Sequence, residues 1–196
     1  ARLPTTATLH CYMDRDPGMG AGCMSAFGQD VKTGRVETFL VKIDKSMMVD
    51  TKKRSLAASR AELDNAMARF PGRRRYAVAR QIVADLLADA TSRGLPVMQR
   101  WIKHPLPNMG EPDKHVCYLS DRGDLSADAL ADFILDVRMH PLDRFFMQVR
   151  RRLSVLERPI VSASSAQRRW HGYAVYNPQV VARLLETFRV VYNVNL

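Results

Sequence analysis

The residues of this chain best suited to chemistry are acids that follow strand-like apolar runs. Thr8 to Met13 reads TLHCYM and is followed at once by Asp14, and His115 to Ser120 reads HVCYLS and is followed by Asp121. Runs of this length and composition predict strands. In open α/β sheets the ligand crevice lies beyond the carboxyl ends of the strands. If these two strands are adjacent and parallel, both carboxylates reach one edge of the sheet. Hard divalent cations take such oxygen ligands, and a third carboxylate from a nearby helix would complete a site for two metals about 3.5–4 Å apart. Asp143 is the natural third acid, because it starts the predicted helix that carries a run of arginines. Asp16 and Asp124 can equally take the roles of their neighbours, and an Asp at a strand end is also a common cap or turn residue.

The charge points to the partner. The chain of 196 residues carries 30 Lys and Arg against 20 Asp and Glu, a formal net charge of +10, which favours a polyanion. Seven arginines fall between Asp143 and Arg169: Arg144, Arg150, Arg151, Arg152, Arg158, Arg168 and Arg169. Only Asp143 and Glu157 oppose them. The guanidinium fork matches phosphate geometry, so this single-sign segment reads as a phosphate-contacting surface. Trp170, Tyr173 and Tyr176 interleave with it. They either stack on unpaired bases or pack the last helix onto the sheet.

Several other classes lack support. Three cysteines (Cys11, Cys23, Cys117) without a CxxC pair argue against a disulfide framework or a zinc module. The five histidines have no paired-ligand spacing, and Gly18, Gly20 and Gly22 form GxGxG without a following Walker lysine. No apolar run approaches a membrane span and no signal-like segment is present, so a soluble, intracellular protein is expected. The chain opens on Ala1 and reads as an excised domain or fragment.

The elements that would position the acids follow from periodicity. After the first strand, Pro17 and the glycines break the chain, and Cys23 to Val31 is ambiguous between strand and short helix. Lys32-Thr33-Gly34 is a turn before a strand over Val36 to Ile43, which together predict a hairpin. Asp50–Arg69 and Tyr76–Thr91 read as helices, with Leu56, Leu63, Ala66, Met67 and Phe70 on one stripe and Val78, Ile82, Leu86 and Leu87 on the other. Trp101 to Asp113 reads as an extended loop. Ser126 caps a helix over Ala127–Met139, a further helix covers Leu142–Leu156, and the last covers Gln179–Tyr192 with Val180, Val181, Leu184, Leu185, Phe188 and Val191 as its stripe. The order fits an α/β layer.

The stretches HPLDRFFMQVRRRLSVLERP (His140 to Pro159), SSAQRRWHGYAVYNP (Ser164 to Pro178) and LLETFRVVYNVNL (Leu184 to Leu196) resemble the C-terminal part of bacterial insertion-sequence transposases of the DDE superfamily. YMDRDPGMGAG with VETFLVKIDK, and WIKHPLPNMGEP with CYLSDRGD, resemble the earlier catalytic segments of the same enzymes. The resemblance covers most of the chain and implies a single domain over residues 1–196: a ribonuclease-H-like mixed sheet flanked by helices, as in retroviral integrases, with a helical insertion at about 50–93 and a closing helix at 177–196. It also implies a triad of Asp14, Asp121 and Asp143 holding Mg²⁺ or Mn²⁺, with hydrolysis and strand transfer at insertion-element ends. DNA would be the partner, the location would be cytoplasmic and nucleoid-associated, and related enzymes work as multimers. The sequence departs from the family pattern in three ways. The third acid is usually Glu, only 21 residues lie between Asp121 and Asp143 where the usual integrase interval lands on Glu157, and a long stretch of 106 residues separates Asp14 from Asp121. Asp143 is preferred because the family's acid precedes the basic run. A non-catalytic DNA-binding remnant and a nuclease without strand transfer are the alternatives.

Overall fold

The computed structural model describes residues 8–44, 46–156, 160–161, 168–169 and 177–194. The chain divides into two compact units, Ala1–Met139 and His140–Leu196, where a single domain is expected from the sequence.

In the first unit, β1 (Leu9–Asp14) leads into α1 (Pro17–Ala26), α2 (Gly28–Lys32) and β2 (Val36–Lys42). The predicted chain break at the glycines is instead a helix. Asp16 caps it by accepting a hydrogen bond from the Met19 amide at 3.0 Å, and Pro17 occupies the first turn, where its missing N–H costs nothing. Gly20 is buried where this helix lies against Leu40 and Leu119, and a Cβ there would meet them at the ordinary packing distances of 3.6 and 3.8 Å. The predicted hairpin is likewise absent. β1 and β2 pair in parallel, Leu9 with Val36 through Asp14 with Val41, because the α1–α2 segment is long enough for a crossover connection.

Next come α3 (Val49–Arg69) and α4 (Arg75–Ser92), as the periodicity predicts, then β3 (Ile102–Lys103), β4 (His115–Tyr118) and α5 (Ala127–Leu135). The buried stripe of α4 is Val78, Ala79, Val83 and Ala90, turned from the predicted one so that Leu86 is exposed. Ser126 caps α5 as predicted, accepting from the Ala129 amide at 3.1 Å. α5 stops at Leu135, short of the predicted end.

The four strands form a mixed α/β sheet in the order β1-β2-β4-β3, with β2 and β4 antiparallel. β2 is central and its first six residues are buried. On one face, Met13, Leu40 and Cys117 pack with Cys23 of α1 and with Trp101 and Leu119. On the other, the Tyr12, Phe39 and Tyr118 rings follow one another with tilted planes, their centroids 5.1 and 5.0 Å apart. Phe133 of α5 closes over His10 at 4.2 Å. Helices thus cover both faces, and the first six residues of β2, the polar Glu37 and Thr38 included, are buried because neither face meets water.

In the second unit, α6 (His140–Arg152) and α7 (Pro178–Val194) carry most of the described structure, with a two-residue ladder of β5 (Ile160–Val161) and β6 (Arg168–Arg169). Phe145 meets Phe188 and Tyr192 at 5.9 and 5.4 Å, forming an aromatic cluster. Phe188 is buried, whereas Val180, Leu185 and Val191 of the predicted α7 stripe are exposed. Among the described residues no helix is long and apolar enough to cross a membrane.

Candidate active site and basic surface

Asp14 ends β1 and is exposed, its Oδ1 accepting from the Arg15 amide at 2.9 Å. Asp121 lies three residues beyond β4. Its Oδ2 accepts from Arg100 Nη1 at 2.7 Å and its Oδ1 from the Gly123 amide at 3.1 Å. Arg100 is itself held by Nε donating to the Leu95 carbonyl at 2.6 Å. This ion pair stands at a cavity of about 550 Å³ between α4 and α5, lined also by Leu87, Tyr118 and Leu130.

The structure does not bring Asp14 and Asp121 together. β1 and β4 are neither adjacent nor parallel: β2 lies between them and β4 runs the other way. Asp14 is level with Val41, and Val41 with Val116. The Leu119 amide still bonds to the Thr38 carbonyl, so the register carries Asp121 toward the opposite end of β2. Five residues from Val116 to Asp121 correspond to roughly 16 Å along the strands, and two strand spacings add roughly 10 Å sideways. Metal–oxygen bonds are only about 2.0–2.6 Å long, so these two carboxylates do not fit one metal centre.

Asp16 is occupied as the α1 cap, and Asp124 pairs with Arg122 at 3.1 Å. Asp143 opens α6 in the second unit. Glu157 lies outside the described residues, as do Arg158, Trp170, Tyr173 and Tyr176. Arg168 and Arg169 are described only as the backbone of β6. Among the described residues, no group of three or more His, Cys, Asp or Glu could hold a metal ion.

The basic helix is clearer. On α6, Arg144, Arg151 and Arg152 are exposed and Arg150 is half-buried. At 100° per residue, Arg144, Gln148, Arg151 and Arg152 share one side, and Leu142, Phe145, Val149 and Leu153 the other. None of these four arginines makes an ion pair with another described residue.

Two buried polar clusters escaped the sequence reading. Glu37 of β2 is 2% exposed. It accepts from Tyr118 Oη at 2.6 Å, from Ser120 Oγ at 2.9 Å, and from both terminal nitrogens of Arg122. Burial and the Glu37 bond push the Tyr118 phenol up, and the Glu37 bond raises the Arg122 guanidinium. In the second cluster Lys114, also 2% exposed, donates to Glu111 Oε2 at 2.9 Å and to the Val137 carbonyl at 2.6 Å, and Glu111 Oε1 accepts from the Met139 amide at 2.6 Å. Partial alternation in VETFLVKI hints at the first, and nothing local in the sequence marks the second.

His104 borders the second cluster, with Nδ1 accepting from the Leu106 amide at 3.1 Å and Nε2 lying 3.3 Å from the Leu135 carbonyl. Burial, and then the Lys114 charge, lowers its pKa to about 4. The unfolded chain therefore takes up this proton first as pH falls. Stability is fully present above the unfolded value of about 6.5 and drops between about 6.5 and 4, by up to about 3 kcal/mol. Urea titrations at several pH values should show this drop in the wild type and lose it in His104→Gln; an unchanged pH slope in the variant would reject the assignment. Two of the thiols, Cys11 and Cys117, are held protonated at neutral pH. Burial, with Cys23 adjoining, pushes Cys11 up to about 11, and burial does the same for Cys117.

No family model, curated protein or solved structure matches the chain.

Proposed function

We propose that this chain holds duplex DNA by its backbone, as a domain related to the insertion-element transposases it resembles. The observation that carries this reading is α6, whose exposed Arg144, Arg151 and Arg152 share one side without ion pairs to other described residues. Arginines in excess over acids release counterions when they meet phosphates, which makes binding strongly salt-dependent and largely blind to sequence. Replacing Arg144, Arg151 and Arg152 together by Gln is expected to weaken binding to a labelled duplex by about tenfold or more and to flatten its log–log salt dependence by about 2–3. Fluorescence anisotropy across a salt series reads both. Unchanged affinity and slope would remove α6 from the interface.

Metal-dependent cutting and joining is the second reading, and the order of acid-bearing segments favours it. Asp14, Asp121 and Asp143 follow each other as in the resembling enzymes, the third opening a basic helix. The strand order weighs against it, because Asp14 and Asp121 stand at opposite ends of β2. DNA holding therefore ranks above catalysis, as in the remnant alternative. Nicking of a supercoiled plasmid with Mg²⁺ or Mn²⁺ separates the two. The holding reading expects none. Nicking abolished by each of Asp14→Asn, Asp121→Asn and Asp143→Asn, and spared by Glu157→Gln, would instead establish the triad. Joining of a free 3′-hydroxyl end would then distinguish a transposase from a simple nuclease.

A further inference from the structure

The α3–α4 helical hairpin has no role in either reading, yet its turn is the most one-sided charge cluster of the first unit. From Asn65 to Ala84 there is no acid and there are five arginines: Arg69, Arg73, Arg74, Arg75 and Arg80. Arg80 is neutralised, 3.0 Å from Asp132 and 3.8 Å from Asp128, although its Nε–H is not aimed for a hydrogen bond. The other four are exposed and make no ion pair with any described residue.

The turn holds them close together. Phe70 ends α3, Gly72 takes the left-handed conformation at φ +82°, and the Arg73 amide returns to the Phe70 carbonyl at 3.2 Å. The Arg73 guanidinium lies 5.2 Å from the Phe70 ring centroid, so it is braced from behind by an aromatic face. α4 then begins at Arg75 with no acid in its first turn. The acids facing this end of α4 are Asp132 and Asp136, which act on Tyr76. Of these two, Asp132 is taken by Arg80.

We infer that the α3–α4 turn is a second DNA-backbone contact, with Arg69, Arg73, Arg74 and Arg75 meeting the phosphates of a duplex. This rests on the DNA-holding reading and extends it to the first unit. A fixed guanidinium cluster with few apolar anchors suits a regular phosphate array better than a protein surface, whose binding energy concentrates in buried aromatic and arginine anchors.

The test uses the whole chain, a labelled random-sequence duplex and anisotropy across a salt series. Arg73→Gln, Arg74→Gln and Arg75→Gln combined should weaken binding by about tenfold or more and lower the salt slope by about 2–3, while the matching triple Lys variant keeps the slope. All three positions are exposed on a turn, and an unchanged thermal unfolding midpoint would verify that the fold is intact. If wild type binds the duplex and the triple Gln variant binds it equally well with the same slope, this inference is overturned while DNA holding through α6 stands. Wild type failing to bind any duplex would overturn DNA holding itself. Tighter binding of single-stranded RNA, with the larger loss in the triple Gln variant, would overturn the duplex as the partner of this turn.

Discussion

Glu37→Ala is expected to destabilise the first unit by about 3–5 kcal/mol, the range found when one member of a buried ion pair is removed. Glu37 sits on the central strand and gathers donors from three residues beyond β2: Tyr118, Ser120 and Arg122. Without the carboxylate, the Tyr118 hydroxyl and the Arg122 guanidinium lose their main acceptor inside the protein, and desolvated donors without acceptors are costly. Ser120 keeps its bond from the Thr38 amide at 2.9 Å, and Arg122 keeps the Val31 carbonyl at 2.9 Å, so unfolding of the whole unit is not implied. Glu37→Gln should cost less, since the amide retains an acceptor oxygen and the shape, and Tyr118→Phe should cost about 1 kcal/mol for one hydrogen bond. Urea denaturation would measure the series; a Glu37→Ala loss below about 1 kcal/mol would show the cluster to be solvated. The cluster also ties Ser120 and Arg122 to β2. It thereby fixes the loop that presents Asp121 to Arg100.

Lys114→Met should cost a similar amount, about 3–5 kcal/mol, for the same reason with the signs reversed. Burial already lowers the Lys114 pKa, and Glu111 offsets part of that. Replacing the lysine takes the cation from Glu111 and a donor from the Val137 carbonyl. Adding Glu111→Gln should recover part of the loss, because Gln still offers an oxygen to the Met139 amide while no buried carboxylate remains. The double-mutant cycle then reports a coupling of about 0.5–3 kcal/mol. Strict additivity would mean that the two side chains do not act as a pair.

The sequence by itself determined the local elements. β1 and β4 follow from short apolar runs, α3 and α4 from stripes at helical spacing, and α5 from its Ser126 cap, because each signal lies within a few residues of the element it specifies. It also determined the basic character of α6, where Asp143 is the one acid against four arginines, and of the α3–α4 turn, where Asn65 to Ala84 holds no acid whatever the fold. α1 was less legible. Asp16 and Pro17 form a helix start, but three glycines in the next five residues read as punctuation until the helix packs on Leu40 and Leu119.

Only the tertiary structure decided which strands are neighbours and which way they run. That choice is made by contacts between residues far apart in the chain, and it settles whether two acids at strand ends share an edge. Asp14 and Asp121 follow equally strand-like runs, yet β2 lies between them, parallel to β1 and antiparallel to β4, and sends them to opposite ends. The same holds for Glu37, Glu111 and Lys114. In sequence each is an ordinary surface charge, and each is buried because helices or loops close over it and supply the partner that makes burial tolerable.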